Sequence, residues 1–246
     1  MKNKIIITAG GTSEIIDNVR KITNSSTGKL GKIITKKLIE QKNKNIEKIY
    51  YICAKNSLKP KKNKKIEIIE ITDTNSLKNQ IEILLKNQNI NYFIHSMAVS
   101  DYCVDFVTSA QNIAQNIIDK KPQNNLQLYE CITNVQTVFR DAKISSECND
   151  LVIKLKKTPK IISLIKTLSP QTFLVGFKLL DGVSEHQLLD TAINLKNKNN
   201  CDLVVANDLS HIRQGEHKAY IIDQNNKHQI ANGKNDIAYK LIEKIF

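Results

Sequence analysis

Apolar residues fall in short runs separated by polar and turn residues, and the period changes from one run to the next. Ile5 to Thr8 form a β-rich run that stops at Gly10-Gly11, and from Gly28 onward Leu30, Ile33, Ile34, Leu38 and Ile39 recur at helical spacing. The chain therefore opens as strand, glycine loop, helix. Further strands are predicted at 48–53, 66–72 and 92–96, with a helix over 76–86. From about 101 to 149 the rhythm breaks into a stretch rich in Gln, Asn and Lys without a long apolar repeat. A stretch of this length inside a compact domain is usually functional or mobile, so it reads as an excursion with short helices over the active site.

Regular patterning resumes with a strand at 151–155, a helix from Pro159, a strand at 173–177, a helix over 186–198 and a strand at 203–206. The end reads as a β-hairpin, 218–222 and 229–230 around Gln224-Asn225-Asn226-Lys227, then a helix to Phe246. Strands alternating with helices predict an α/β, Rossmann-like fold: a mostly parallel sheet with helices on both faces, a flexible lid segment over about 101–150 and a C-terminal β-hairpin. At 246 residues the chain, 1–246, is expected to be a single domain.

Composition narrows the function classes. Hydrophobic residues make up 41%, but no run approaches the length that spans a bilayer, so no membrane partner is expected. The start MKNKIIITAGG reads as a first strand and not as a signal peptide. The five cysteines, Cys53, Cys103, Cys131, Cys148 and Cys201, show no CxxC pair or metal-ligand spacing, which fits reduced thiols in the cytoplasm. A net charge of +13 raises the question of nucleic acid. Arginine, however, occurs at Arg20, Arg140 and Arg213 alone, while Lys, Asn and Ile abound, as in a genome poor in G and C. The densest basic run, 59–65, has no interleaved aromatic to stack a base and reads as a loop. No nucleic-acid partner is expected, although a positive field suits phosphate-bearing substrates.

Gly10-Gly11-Thr12-Ser13 follows the first strand, where backbone amides and small hydroxyls can approach a phosphate. It is neither GxGxxG nor a P-loop. A polar stretch with Arg20, Asn24, Ser26 and Gly28 then delays the helix. With the blocks Gly10-Gly11-Thr12-Ser13-Glu14, Asp17-x-Val19-Arg20-x-Ile22-Thr23-Asn24-Ser25-Ser26-Thr27-Gly28, His95-Ser96-Met97-Ala98-Val99-Ser100-Asp101-Tyr102, Ala142-Lys143-Ile144-Ser145-Ser146, Thr158-Pro159-Lys160-Ile161, Val175-Gly176-Phe177-Lys178-Leu179 and Ala206-Asn207-Asp208, the chain resembles phosphopantothenate–cysteine ligase along nearly its whole length. Nothing precedes the first strand where fused relatives carry a flavin-dependent decarboxylase, so the resemblance is to the stand-alone bacterial form.

The resemblance implies that 4′-phosphopantothenate and L-cysteine are joined in coenzyme A biosynthesis. The substrate carboxylate attacks the α-phosphate of CTP, and the cysteine amine then displaces CMP from the acyl-cytidylate. It implies catalytic roles for Asn24, which would hold the acyl intermediate, and for Lys143, the first lysine of a basic lid reaching the triphosphate. Lys-Ile-Ser-Ser stands here where many relatives have Lys-Ile-Lys-Lys. Gly11, Arg20, Asn24 and Ala98 would bind substrate. Gly10, Ser26, Asp101, Lys143, Thr158, Pro159, Lys160, Ile161 and Phe177 would bind the nucleotide, with Asp101 also holding Mg2+.

From the residues alone, other readings stay open. Asn24 could cap the helix that follows, and Arg20 could pair with a carboxylate. Phe177 and Ala98 could be core, and Asp101 a turn residue. Thr158-Pro159 reads as a helix start with threonine at the N-cap and proline at the first position. A basic pair that many relatives carry in the helix following Phe177 has no match in register; Leu195 and Asn199 stand there, with Lys196 and Lys198 offset. Bacterial members favour CTP over ATP, and family members are homodimers. The rival from another class is an NAD(P)-dependent Rossmann-type oxidoreductase. Its short-chain form needs Tyr-x-x-x-Lys on a helix, and the one match, Tyr51 to Lys55, falls on a predicted strand and loop.

Overall fold

The computed structural model describes residues 2–41, 45–137, 144 and 149–246. The chain divides into two compact units, one of Met1–Thr12, Asn24–Val99 and Lys160–Phe246, the other of Ser13–Thr23 and Ser100–Pro159.

The first unit is built on an eight-stranded sheet. Its strands are β1 (Asn3–Ala9), β4 (Ile46–Ala54), β5 (Ile66–Ile71), β6 (Tyr92–His95), β9 (Phe173–Leu180), β10 (Leu203–Asp208), β11 (Lys218–Ile222) and β12 (His228–Asn232), in the order β12-β11-β10-β9-β6-β1-β4-β5. Pairing is parallel from β5 to β10, while β11 and β12 join antiparallel. The expected hairpin is thus an extension of the main sheet.

Period-two alternation explains why these runs are apolar throughout. In β1, Ile5, Ile7 and Ala9 enter the core shared with α1 (Lys29–Glu40) and α8 (Gly233–Ile245), whereas Ile6 enters the opposite core with α2 (Thr74–Asn87), α5 (Ile161–Leu168) and α6 (Glu185–Asn199). A strand covered on both faces needs apolar residues at successive positions. Tight crossing selects Gly31 in α1, where an added Cβ would come within 2.7 Å of the Ala9 methyl. Side chains fix the starts of α2 and α6: Asp73 with Ser76, and Ser184 with Gln187, form reciprocal capping boxes.

In the second unit, β7 (Tyr102–Ser109) pairs antiparallel with β8 (Leu151–Lys157), and β2 (Ser13–Ile15) pairs with β3 (Lys21–Thr23). Its small core gathers Ile16, Val104, Val107 and Ile144. The expected excursion does contain short helices, α3 (Ala110–Lys120) and α4 (Asn125–Thr133), but it begins with the strand β7, which the pattern did not predict. Neither the β2–β3 hairpin nor the single turn α7 (Leu209–Arg213) in the first unit was expected.

The helix expected from Pro159 begins at Ile161, with Lys160 at the N-cap and no side-chain cap. Thr158 does not cap it. Its hydroxyl donates to the Ser100 carbonyl at 2.6 Å, and its amide to the Asp101 carbonyl at 3.0 Å, so Thr158 is held as the last rung beyond β7 and β8. Proline at 159 also disfavours the helical conformation for the residue before it.

Candidate active site

The strand order turns at β1: β4 and β5 lie to one side of it, β6, β9 and β10 to the other. Open α/β sheets bind ligands outside the carboxyl ends of the strands at such a point. There β1 leaves the sheet through Gly10 and Gly11, and β6 through Ser96 to Val99. The two exits stay paired. Gly11 bridges Ala98 in parallel, the Ala98 amide donates to the Gly10 carbonyl at 2.8 Å, and the Thr12 amide donates to the Ala98 carbonyl at 3.1 Å. Asn24 returns to the same place and donates its amide to the Thr12 carbonyl at 3.1 Å. Backbone bonds therefore gather four of the expected residues, Gly10, Gly11, Asn24 and Ala98.

Only glycine fits the first two of these positions. Gly10 has φ +87°, and a Cβ there would lie 1.8 Å from the Ser57 hydroxyl oxygen; at Gly11 it would lie 1.8 Å from the Asn24 carbonyl oxygen. The loop returning to α1 is braced from inside: the Leu58 amide donates to the Thr27 carbonyl at 2.9 Å, and the Tyr51 hydroxyl donates to the Leu58 carbonyl at 2.9 Å. Helix α1 is N-capped by Gly28 at φ +72° with no side-chain cap, so Asn24 is not its cap. Ser26 is exposed on this loop.

Beneath the exits lies His95, buried, with Nδ1 2.8 Å from the Thr8 hydroxyl. Burial lowers its pKa to about 4, so it is a neutral ring at neutral pH. Phe177 is half-buried on β9 and packs against the core on the α1 and α8 face. Ile161 is buried as the first residue of α5, while Lys160 before it is exposed. Tyr51 is fully buried in β4 and Lys55 sits in the turn after it. That geometry does not present a Tyr-Lys pair on a helix face.

The second unit carries Arg20, Asp101, Thr158 and Pro159. Arg20 is paired with a carboxylate: Asp17, whose side chain is fully buried, lies 3.2 Å from its guanidinium. Asp17 also accepts the amides of Val19 at 2.8 Å, Arg20 at 2.6 Å and Ile144 at 3.2 Å. Burial pushes the Asp17 pKa up, but these three amides and the Arg20 charge outweigh it, and the net shift is downward. Asp101 is exposed immediately before β7, six residues beyond the end of β6 rather than at that strand's end. Lys154 and Lys156 both pair with Asp105, at 3.1 and 3.0 Å. Lys143 lies outside the described residues.

Sequence reasoning missed several polar groups that hold these segments. Asp208, closing β10, accepts the amides of Gly182 and Val183, each at 3.0 Å, and the Ser210 hydroxyl at 2.6 Å. Lys196 is buried and donates to the carbonyls of Asp223 and Gln224, both at 2.9 Å, and to the Asn226 side chain. It bolts the β11–β12 turn. The buried cysteines Cys53 and Cys201 have pKa values raised by burial to about 11 and about 12, so they are inert thiols at neutral pH.

The chain passes between its two units at Thr12–Ser13, Thr23–Asn24, Val99–Ser100 and Pro159–Lys160. Each passage falls inside one of the motif blocks. Fold and strand exits define a doubly wound α/β protein with its candidate ligand crevice at the switch point, built on neither a P-loop nor a dinucleotide fingerprint. The chain belongs to the family described as DNA/pantothenate metabolism flavoprotein C-terminal domain, which matches residues 1–134 and 106–246.

Similar proteins include the coenzyme A biosynthesis bifunctional protein CoaBC of Methanocaldococcus jannaschii, 26% identical over 99% of this chain and 50% of that protein. The protein of the same name from Thermococcus kodakarensis is 29% identical over 98% of this chain and 50% of its own length. The chain thus spans about half the length of these relatives. Among solved structures, the DNA/pantothenate metabolism flavoprotein from Streptococcus pneumoniae superposes with a TM-score of 0.83 at 40% identity, covering 99% of this chain and 98% of that one. A histidine-to-alanine mutant of Cab2 in complex with phosphopantothenate-cysteine shares the fold, with a TM-score of 0.68 at 18% identity over 99% of this chain and 86% of that one.

Proposed function

We propose that the chain is a ligase that joins 4′-phosphopantothenate to L-cysteine in coenzyme A biosynthesis, through an acyl-cytidylate formed from CTP. The observation that carries the reading is the knot of Gly10, Gly11, Asn24 and Ala98 at the β1–β6 exits, in a chain of this family. The longer relatives, half of whose length the chain matches, are named for coenzyme A biosynthesis, which supports the pathway.

In this reading the substrate carboxylate attacks the α-phosphorus of CTP and pyrophosphate leaves. The cysteine amine then attacks the acyl carbon, and CMP leaves with the bonding electrons. No protein nucleophile is required, which fits the inert thiols Cys53 and Cys201. What the chain supplies is position and charge complementarity. Asn24, fixed through its own backbone, would hold the acyl group with a side-chain amide that both donates and accepts. Glycine amides at the β1 exit suit phosphate oxygens. Lys143 would reach the triphosphate.

Asp101 is an exposed carboxylate, and among the described residues no three His, Cys, Asp or Glu converge as a metal site. One carboxylate fits Mg2+ arriving with a triphosphate, since that ion keeps several waters and takes one or two protein carboxylates. Mg2+ would neutralise phosphate charge.

The functional form in this reading is a cytoplasmic homodimer. The exposed apolar residues Ile118, Leu126 and Tyr129 on α3 and α4 suit contact with a second copy. Among the described residues no helix is long and apolar enough to cross a membrane.

The test is to incubate purified protein with CTP or ATP, Mg2+, phosphopantothenate and cysteine, following pyrophosphate and phosphopantothenoylcysteine. Turnover with CTP preferred is expected, and no product with either nucleotide would overturn the reading.

A further inference from the structure

A second group of titratable side chains lies in the first unit, apart from the residues assigned above. Lys234, in the first turn of α8, has its ammonium 3.0 Å from Nδ1 of His217, the residue before β11. An ammonium has no lone pair and can only donate, so Nδ1 must accept and the neutral ring carries its proton on Nε2. The Nε2–H is left as a donor.

Lys29, the first residue of α1, is close enough for its charge to act on Lys234. Burial lowers the pKa of Lys234 and Lys29 lowers it further; burial and then Lys234 lower that of His217. Among the described residues neither Lys29 nor Lys234 forms an ion pair. Other lysines of β11 and α8 do: Lys218 pairs with Glu185, Lys240 with Asp236 and Lys244 with Asp223.

Topology brings the three groups to one edge. Helices α1 and α8 share one core, and β12 runs in the same sense as the parallel strands, so α8 starts at their carboxyl edge. β11 runs the other way and starts there. Two ammonium groups without a carboxylate, that of Lys234 half-buried and that of Lys29 exposed, repel each other until an anion joins them. The starts of α1 and α8 add partial positive charge of the same sign.

We propose that Lys234, Lys29 and His217 form a seat for a diphosphate group, held either as the β,γ portion of a nucleoside triphosphate or as free inorganic pyrophosphate. The two lysines supply charge and the His217 Nε2–H a directed donor. His217 is a positioning residue as well, because its Nδ1 orients the Lys234 ammonium. The link to the reaction rests on the proposed ligase function; the seat itself does not.

The test is calorimetric titration of inorganic pyrophosphate, CTP and CMP into the full chain and into Lys234→Met, Lys234→Arg and His217→Ala, with thermal melts as a folding control. Lys234→Met should weaken pyrophosphate and CTP binding at least tenfold and leave CMP unchanged, with Lys234→Arg restoring most of the loss. His217→Ala should weaken both anions by a smaller factor.

Loss for CTP alone assigns the seat to intact nucleotide, and loss for pyrophosphate alone to the product. Equal affinities of wild type and Lys234→Met for both would overturn the proposal, as would loss of CMP binding in step. Pyrophosphate binding that depends on Lys234 in a chain without ligase turnover would leave the seat standing and sink the ligase reading instead.

Discussion

Replacing Gly11 by alanine tests whether the paired strand exits set the position of Asn24. The added methyl carbon would lie 1.8 Å from the Asn24 carbonyl oxygen and 2.9 Å from its carbonyl carbon, both backbone atoms that no rotamer change can move. Ordinary contact begins at about 3.4 Å, so the exit and the Asn24 peptide must part by roughly 1.5 Å. Overpacking of this kind costs about 1–3 kcal/mol. Loss of the 3.1 Å bond from the Asn24 amide to Thr12 adds about 1 kcal/mol. In a chain of this size the melting temperature should fall by roughly 5–15 °C.

Catalysis should suffer more than stability, because a misplacement of about 1 Å can cost about 100-fold in rate. The comparison is Gly182→Ala. That position has φ +66° and nothing within 4 Å of an added Cβ, so it meets the left-handed penalty of about 1–2 kcal/mol without a clash. Both proteins would be assayed for amide formation and melted by circular dichroism. Gly11→Ala with kcat/KM within twofold of wild type would refute the reasoning, since the exits would then not govern Asn24.

Asn24→Ala should spare pyrophosphate release while lowering phosphopantothenoylcysteine formation by about 100-fold, read by following both products; equal loss of the two half-reactions would contradict an acyl-holding role. Lys196→Met keeps the buried stem but leaves three acceptors in the β11–β12 turn unmatched, at about 1–3 kcal/mol for each that stays dry. Hydrogen exchange should quicken across β11 and β12 before it quickens in β1, and unchanged protection there would remove Lys196 from its structural role.

Most of the first unit is legible because both sheet faces are covered. Runs such as Ile5-Ile6-Ile7 have no polar face to blur them, and the polar stops at Gly10, Asp73 and Ser184 are glycine turns or caps with local chemistry. The second unit is not, for physical reasons that differ by element. β2 and β3 are three residues each, too short to show a period. β7 contains a register shift between Val104 and Phe106, which breaks the alternation that would betray it.

Thr158-Pro159 carries the same letters as a helix start. The Ser100 carbonyl that takes the threonine hydroxyl is 58 residues away and invisible to local reading. Similarly, Gly10 and Gly11 can be recognised as a turn, but that Ser57 and Asn24 forbid a side chain there emerges from packing. Arg20 was legible as a carboxylate partner, but that the partner is Asp17, three residues earlier and fully buried, emerges from the fold.

Acid should dismantle the protein in two stages, because its buried titratable groups depart from normal in two different pH ranges. His95 stays neutral in the folded state down to about pH 4, while an unfolded histidine takes its proton near pH 6.5. The unfolded chain therefore binds more protons between those values, and stability declines as pH falls from about 6.5 to about 4, by about 3 kcal/mol if the burial is complete. Asp17 and Asp208 act lower. Both have pKa values below normal: for Asp17 burial is outweighed by backbone amides and Arg20, and for Asp208 the Ser210 hydroxyl leads, followed by the Gly182 amide. Their contribution is complete above the unfolded carboxylate value near 3.9 and is lost as pH falls through their folded values. Urea midpoints measured from pH 7 down to about pH 1.5 separate the stages. His95→Gln, which can still meet the Thr8 hydroxyl, should flatten the upper stage alone, and Asp208→Asn should flatten the lower one while leaving the upper slope intact. A single unbroken slope that neither substitution alters would mean that acid sensitivity arises from the general positive charge of the chain and not from these buried groups.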